Sequence, residues 1–172
     1  MIIEEVRLDD DGRFPNSRLP VLLYRDAVPG AAPGEESARR IEELFDRNGW
    51  GSSWRNGVFD FQHYHSTAHE ALGVFAGTAT VQLGGEGGKP CDLARGDVVV
   101  IPAGVAHKRL RASADFRVVG AYPGGQSPDM CYGRAGERPA ADRRLSAVLL
   151  PGQDPVEGAR GALGRLWQGS AT

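Results

Sequence analysis

Cysteine, lysine and methionine each occur twice in this 172-residue chain, and histidine four times. Cys91 and Cys131 lie far apart and have no CxxC spacing, which excludes a structural zinc knuckle. In a reducing compartment they are expected to be free thiols. Surplus charge is also missing. The formal net charge of -2 excludes the basic excess that nucleic acid or an anionic membrane would require. Eighteen of the 20 basic residues are arginine, which reads as composition bias, and they form no stripe. No apolar run approaches the ~20 residues that cross a bilayer. The start, MIIEEVRLDDDG, lacks the charged-then-apolar order of a signal peptide, so a cytoplasmic location is expected by default. There is no HExxH and no strand-to-helix glycine loop for phosphate.

What is abundant is turn chemistry. Glycine (24) and proline (11) punctuate the chain, the pattern of many short strands rather than long helices. The length suits one domain over 1–172. It divides into an arm and helix (1–50), a barrel core (51–122), and a loop, closing strand and tail (123–172). Leu19–Tyr24 is expected to be an edge strand, because Pro20 removes one ladder donor. PGEESARRIEELFDRNGW (33–50) is expected to be a helix, with Ala38, Ile41, Leu44 and Phe45 on one stripe and Gly49 just past its end. From Gly57 the period becomes two. VFDFQHYH then places Phe59, Phe61, His63 and His65 on one strand face. Further strands are expected at 70–76, 78–83, 98–101, from 107, 116–122 and 145–150 (LSAVLL). A short helix in the tail would place Leu163, Leu166 and Trp167 on the core.

All four histidines fall between positions 63 and 107, three of them in the stretch HYHSTAHE together with Glu70. Gly57, His63, His65, Glu70 and Gly77 fit the spacing G-x5-H-x-H-x4-E-x6-G. Gly96, Pro102, Gly104 and His107 fit G-x5-P-x-G-x2-H, with Arg111 where the second pattern ends in asparagine. On these two motifs the chain resembles the cupin superfamily, tightly over 57–111. The resemblance implies an all-β double-stranded β-helix, a jelly-roll barrel, with one N-terminal α-helix on the outside.

His63, His65, Glu70 and His107 are therefore the candidate metal ligands. Three imidazoles and a carboxylate suit one divalent transition metal per chain: Fe, Mn, Ni, Co, Cu or Zn. Without a thiolate the site is not a closed structural zinc. Four protein ligands around a six-coordinate ion would leave positions open for chemistry. The expected function is a metal-dependent, oxygenase-like enzyme acting on a small polar molecule. A non-redox isomerase or lyase and a non-enzymatic binding module remain alternatives. Catalytic residues are not assigned. Candidate substrate contacts are Phe61 as a cavity wall, His69, and Arg109. His69 reads three ways: a partner of Glu70, a pocket acid/base, or an exposed residue. Arg109 and Arg111 read as rim arginines, or as holders of a substrate carboxylate. Phe59 and Phe61 both read first as core packing, with Phe61 the better candidate for a cavity wall. Gln126, Asp129 and Tyr132 lie in a 123–140 loop, read first as a surface crossing and second as a lid. A homodimer through the arm or edge strands is left open.

Overall fold

A computed structural model describes residues 1–29, 32 and 34–169. Gly30 of the expected arm, Pro33 of the expected helix and the last three residues of the tail lie outside the described residues. In chain order the elements are β1 (Ile2–Leu8), β2 (Ser17–Arg25), α1 (Glu35–Arg47), β3 (Trp50–Asn56), β4 (Glu70–Ala76), β5 (Thr78–Leu83), β6 (Lys89–Ala94), β7 (Val98–Ile101), β8 (His107–Ala112), β9 (Arg117–Pro123), α2 (Ala140–Leu145) and α3 (Ala162–Gln168).

The strands form a six-stranded sheet in the order β1-β2-β7-β4-β9-β3 and a three-stranded sheet in the order β6-β5-β8. Every described pairing is antiparallel. The inner strands of the larger sheet are buried on both faces. Leu23, Leu72, Val74, Val99, Ile101 and Val118 point inward and meet Val81, Leu83 and Leu93 of the smaller sheet. Leu22, Tyr24, Ala71, Val98, Val100, Val119 and Ala121 point outward and meet Ile41 and Phe45 of α1 and Leu163 and Trp167 of α3. Strands covered on both sides read as unbroken apolar runs, which accounts for VVVI having all four residues buried. The fold is the all-β double-stranded β-helix with a helix outside it.

The helix forms where its stripe requires. Ala38, Ile41 and Phe45 are fully buried, and each large side chain is worth roughly 1.5–3 kcal/mol. Glu35 and Glu36 sit in the first turn and Arg47 in the last, complementing the helix dipole. Gly73 allows the close approach of α1, since a Cβ there would stand 2.5 Å from Ile41 Cγ2.

Four expectations need correction. Leu19–Tyr24 is not at an edge: β2 lies between β1 and β7, and β1 is the edge. Pro20 is tolerated because it falls where the β1–β2 register shifts, between the pairs Val6–Val21 and Leu8–Ser17. Residues 57–69 are not a regular strand; they cross as an irregular segment held by isolated bridges His63–His107 and Tyr64–Cys131. Phe59 and Phe61 are exposed rather than core, stacked on each other at 4.8 Å. LSAVLL is not a strand: α2 ends at Leu145, helical turns continue to Val148, and Leu149 is 78% exposed. Both cysteines are free and buried.

Candidate metal centre

Alternation along β4 sends Glu70 to the same inner face as Leu72 and Val74. Two turns deliver the imidazoles to it. Gly104, at φ +93°, completes the turn after β7, and its N–H is held by the His65 carbonyl at 2.8 Å. The chain then enters β8 at His107, which exchanges two backbone hydrogen bonds with His63, at 2.9 and 3.2 Å. The rings of His63 and His107 consequently lie 4.1 Å apart, centroid to centroid. Tyr64, between the two inward histidines, turns the other way and packs edge-on against Phe14.

One ring nitrogen of each histidine is fixed by a backbone carbonyl. His63 Nδ1 meets Phe61 O at 3.1 Å, His65 Nδ1 meets Asp129 O at 2.5 Å, and His107 Nδ1 meets Val105 O at 3.1 Å. A carbonyl only accepts, so Nδ1 carries the proton and the Nε2 lone pair is left bare. Potential ligand atoms of the three histidines fall within 4.8 Å of one another. Glu70 Oε2 lies 3.3 Å from His107 Nε2 and 3.5 Å from His65 Nε2. It is buried and has no hydrogen-bond partner. Lone pairs facing a carboxylate oxygen in a buried space repel one another unless a cation lies among them. The donor set therefore fits a divalent transition metal, and the three carbonyls supply the outer support that metal-binding histidines use.

Burial, then the neighbouring His107, pushes His63 down to about 3, so its ring is neutral. Burial works to raise Glu70, but His107 and His65 outweigh it and hold the carboxyl below the ordinary carboxylate range. Burial works to lower His65, and Glu70 reverses that, leaving its value raised. Glu70 Oε1 is steadied by Tyr122, whose hydroxyl donates to it at 3.3 Å and accepts from Trp54 Nε1 at 2.8 Å. Gly120 leaves room for that indole, because a Cβ there would overlap the Trp54 ring.

The four groups open on a cavity of about 300 Å³, walled by Trp54, Val58, Phe59, Leu72, Tyr122 and Met130. A larger cleft, about 750 Å³, runs between 123–127 and 147–153, but Arg144 is the one titratable side chain lining it.

The other sequence candidates lie off this cavity. His69 is buried behind it, accepting from Ala103 N–H at 3.0 Å through Nδ1 and packing on Trp167 at 4.8 Å. Burial pushes it down to about 4; it is neither exposed nor in contact with the Glu70 carboxylate. Phe61 stacks on Phe59 and faces a different surface pocket. Arg109 donates to the Val58 carbonyl and pairs loosely with Asp60 at 3.8 Å, and Arg111 pairs with Asp92. Both arginines sit at the barrel rim.

Sequence reasoning missed Trp54, Tyr122 and Met130. Tyr122 was findable, since it shares inward parity with Val118 and Gly120 in β9. The 123–140 segment is a seam, not a lid. Asp129 orients His65 through its carbonyl and binds the Ser66 N–H and hydroxyl through its carboxylate. Gln126 accepts from His69 N–H, and Tyr132 packs on Phe61.

A sequence profile of the Cupin domain matches residues 56–119. Over 159 residues the chain is 42% identical to "Uncharacterized protein YjlB" of Bacillus subtilis (strain 168), covering 92% of each. This chain belongs to the cupin family. Among solved structures, the acireductone dioxygenase of Bacillus anthracis aligns to this cupin with a TM-score of 0.44 and 15% identity, over 63% of this chain and 82% of that one. The DMSP lyase DddQ of Ruegeria pomeroyi DSS-3 aligns with a TM-score of 0.36 and 26% identity, over 48% and 42%. Overlaps of that extent carry no argument about activity.

Proposed function

We propose that this cupin is a metal-dependent enzyme, oxygenase-like, that transforms a small molecule in the cavity beside His63, His65, Glu70 and His107. The observation that carries the reading is the unpartnered Glu70 oxygen among bare imidazole nitrogens, open to a cavity rather than sealed. A redox-active ion, when bound there, supplies Lewis acidity and electrons for dioxygen chemistry.

The chain's own residues do the rest. The carbonyls of Phe61, Val105 and Asp129 hold the three rings in one tautomer. Tyr122 keeps Glu70 from rotating away. Val58 and Leu72 set buried carbon beside the ligand end, which strengthens the polar interactions there. His69 takes no part at the cavity, because it lies behind the wall.

Elemental analysis of untagged protein purified without added metal tests the site. The expected content is about one transition-metal ion per chain, mostly lost in a His63→Ala, His65→Ala double variant. Retention by that variant removes the site. Oxygen uptake by iron-loaded protein with a panel of small organic molecules tests the reaction. No uptake removes the oxygenase, whereas turnover that persists with zinc in place of iron identifies Lewis-acid chemistry.

A further inference from the structure

We infer that the cavity takes a compact molecule with an apolar body and a single metal-coordinating head, rather than a sugar, a polycarboxylate or another polar metabolite. This rests on the metal reading above and narrows it. The expectation of a polar substrate came from the ligand residues alone; the walls are different chemistry.

Away from the candidate ligands, the wall is largely Trp54, Val58, Phe59, Leu72 and Met130. Most of the polar groups in the wall are already committed. The Tyr122 hydroxyl is engaged by Trp54 on one side and Glu70 on the other. Asn56 Oδ1 accepts from Gly57 N–H at 2.8 Å. Arg55 borders the cavity, but its guanidinium is turned to α1, where Glu42 and Glu35 hold three of its nitrogens at 2.6–2.7 Å. A carboxylate away from the metal would find no cation, and hydroxyls would exchange water for carbon. Phe59 and Met130 line the cavity and are also 47% and 38% exposed, so its rim is apolar too. At about 30 Å³ per small group, 300 Å³ holds roughly ten non-hydrogen atoms. Pockets of this kind orient a ligand by a few polar groups and bind its body by apolar contact.

The chain has two methionines, Met1 and Met130, so a 13C-labelled methionine methyl reports on the rim directly. Zinc-loaded protein would be titrated with benzohydroxamic acid, acetohydroxamic acid and citrate, following the Met130 methyl by NMR. The first two share one chelating head and differ only in the body. Benzohydroxamic acid is expected to bind at least tenfold more tightly than acetohydroxamic acid. Phe59→Ser should weaken benzohydroxamic acid threefold or more and leave acetohydroxamic acid unchanged. Equal affinity for the two, or tightest binding of citrate, overturns the inference while the metal site stands. If elemental analysis finds no zinc retained, it is the metal reading that fails. The wall is then tested by benzamide on the metal-free protein, where saturable movement of the Met130 methyl is expected and no movement overturns the inference.

Discussion

Tyr122 accepts from Trp54 Nε1 at 2.8 Å and donates to Glu70 Oε1 at 3.3 Å, so one hydroxyl links the cavity wall to a candidate ligand. Tyr122→Phe keeps the ring and removes that link. Outer partners of metal ligands typically contribute 10–100-fold in affinity. Competition against a chromophoric chelator should therefore show metal affinity reduced by roughly 10–100-fold. Stability should fall by only about 1–2 kcal/mol, from the Trp54 N–H left unpaired. Unchanged affinity would mean that Tyr122 only fills space. The convergence of His63, His65, Glu70 and His107 was legible in the sequence, because fixed spacing between glycine and proline turns constrains where side chains return. The place of His69 was not, because it fills a variable slot of the motif, and those of Phe61 and Arg109 were not, because they were read from strand parity. Parity holds only in regular strands, and 57–69 is irregular while the β5–β8 register shifts between Thr80 and Val81.

At the scale of elements, α1 was readable because one helical period runs along it, and β4 and β5 because Gly77 marks the turn between them. The run 145–150 was not, since a short apolar stretch fits helix and strand alike and burial decides between them. The 123–140 seam carries its meaning in backbone carbonyls, above all that of Asp129, and no residue type announces a carbonyl. The α1–β4 contact makes a sharper test of packing. Gly73→Ala would place a methyl 2.5 Å from Ile41 Cγ2 and 3.2 Å from Phe45 Cζ. Overpacking of this kind costs about 1–3 kcal/mol. Ile41→Ala removes the opposing Cγ2 methyl. In urea unfolding, Gly73→Ala should be less costly in the Ile41→Ala background than in the wild type. Strict additivity of the two changes would show that α1 does not rest on Gly73.

Across the whole molecule the candidate ligands come from both sheets. Glu70 opens β4 in the six-stranded sheet, His107 opens β8 in the three-stranded sheet, and His63 and His65 lie on the irregular segment that precedes β4. An ion held by all four would join the sheets at the cavity end, where the packing is cavity rather than core. Unfolding separates these groups, so the ion binds the native state in preference, and folding stability rises with occupancy. With free metal a thousandfold above its dissociation constant, the gain is about 4 kcal/mol. Urea unfolding of metal-loaded and chelator-stripped protein should differ by that order. In His107→Ala, which leaves the six-stranded side of the site intact, the difference should shrink to under about 1 kcal/mol, because the link between the sheets is gone. If His107→Ala keeps the full difference, the ion resides on one sheet alone, and the centre bridging the two sheets is wrong.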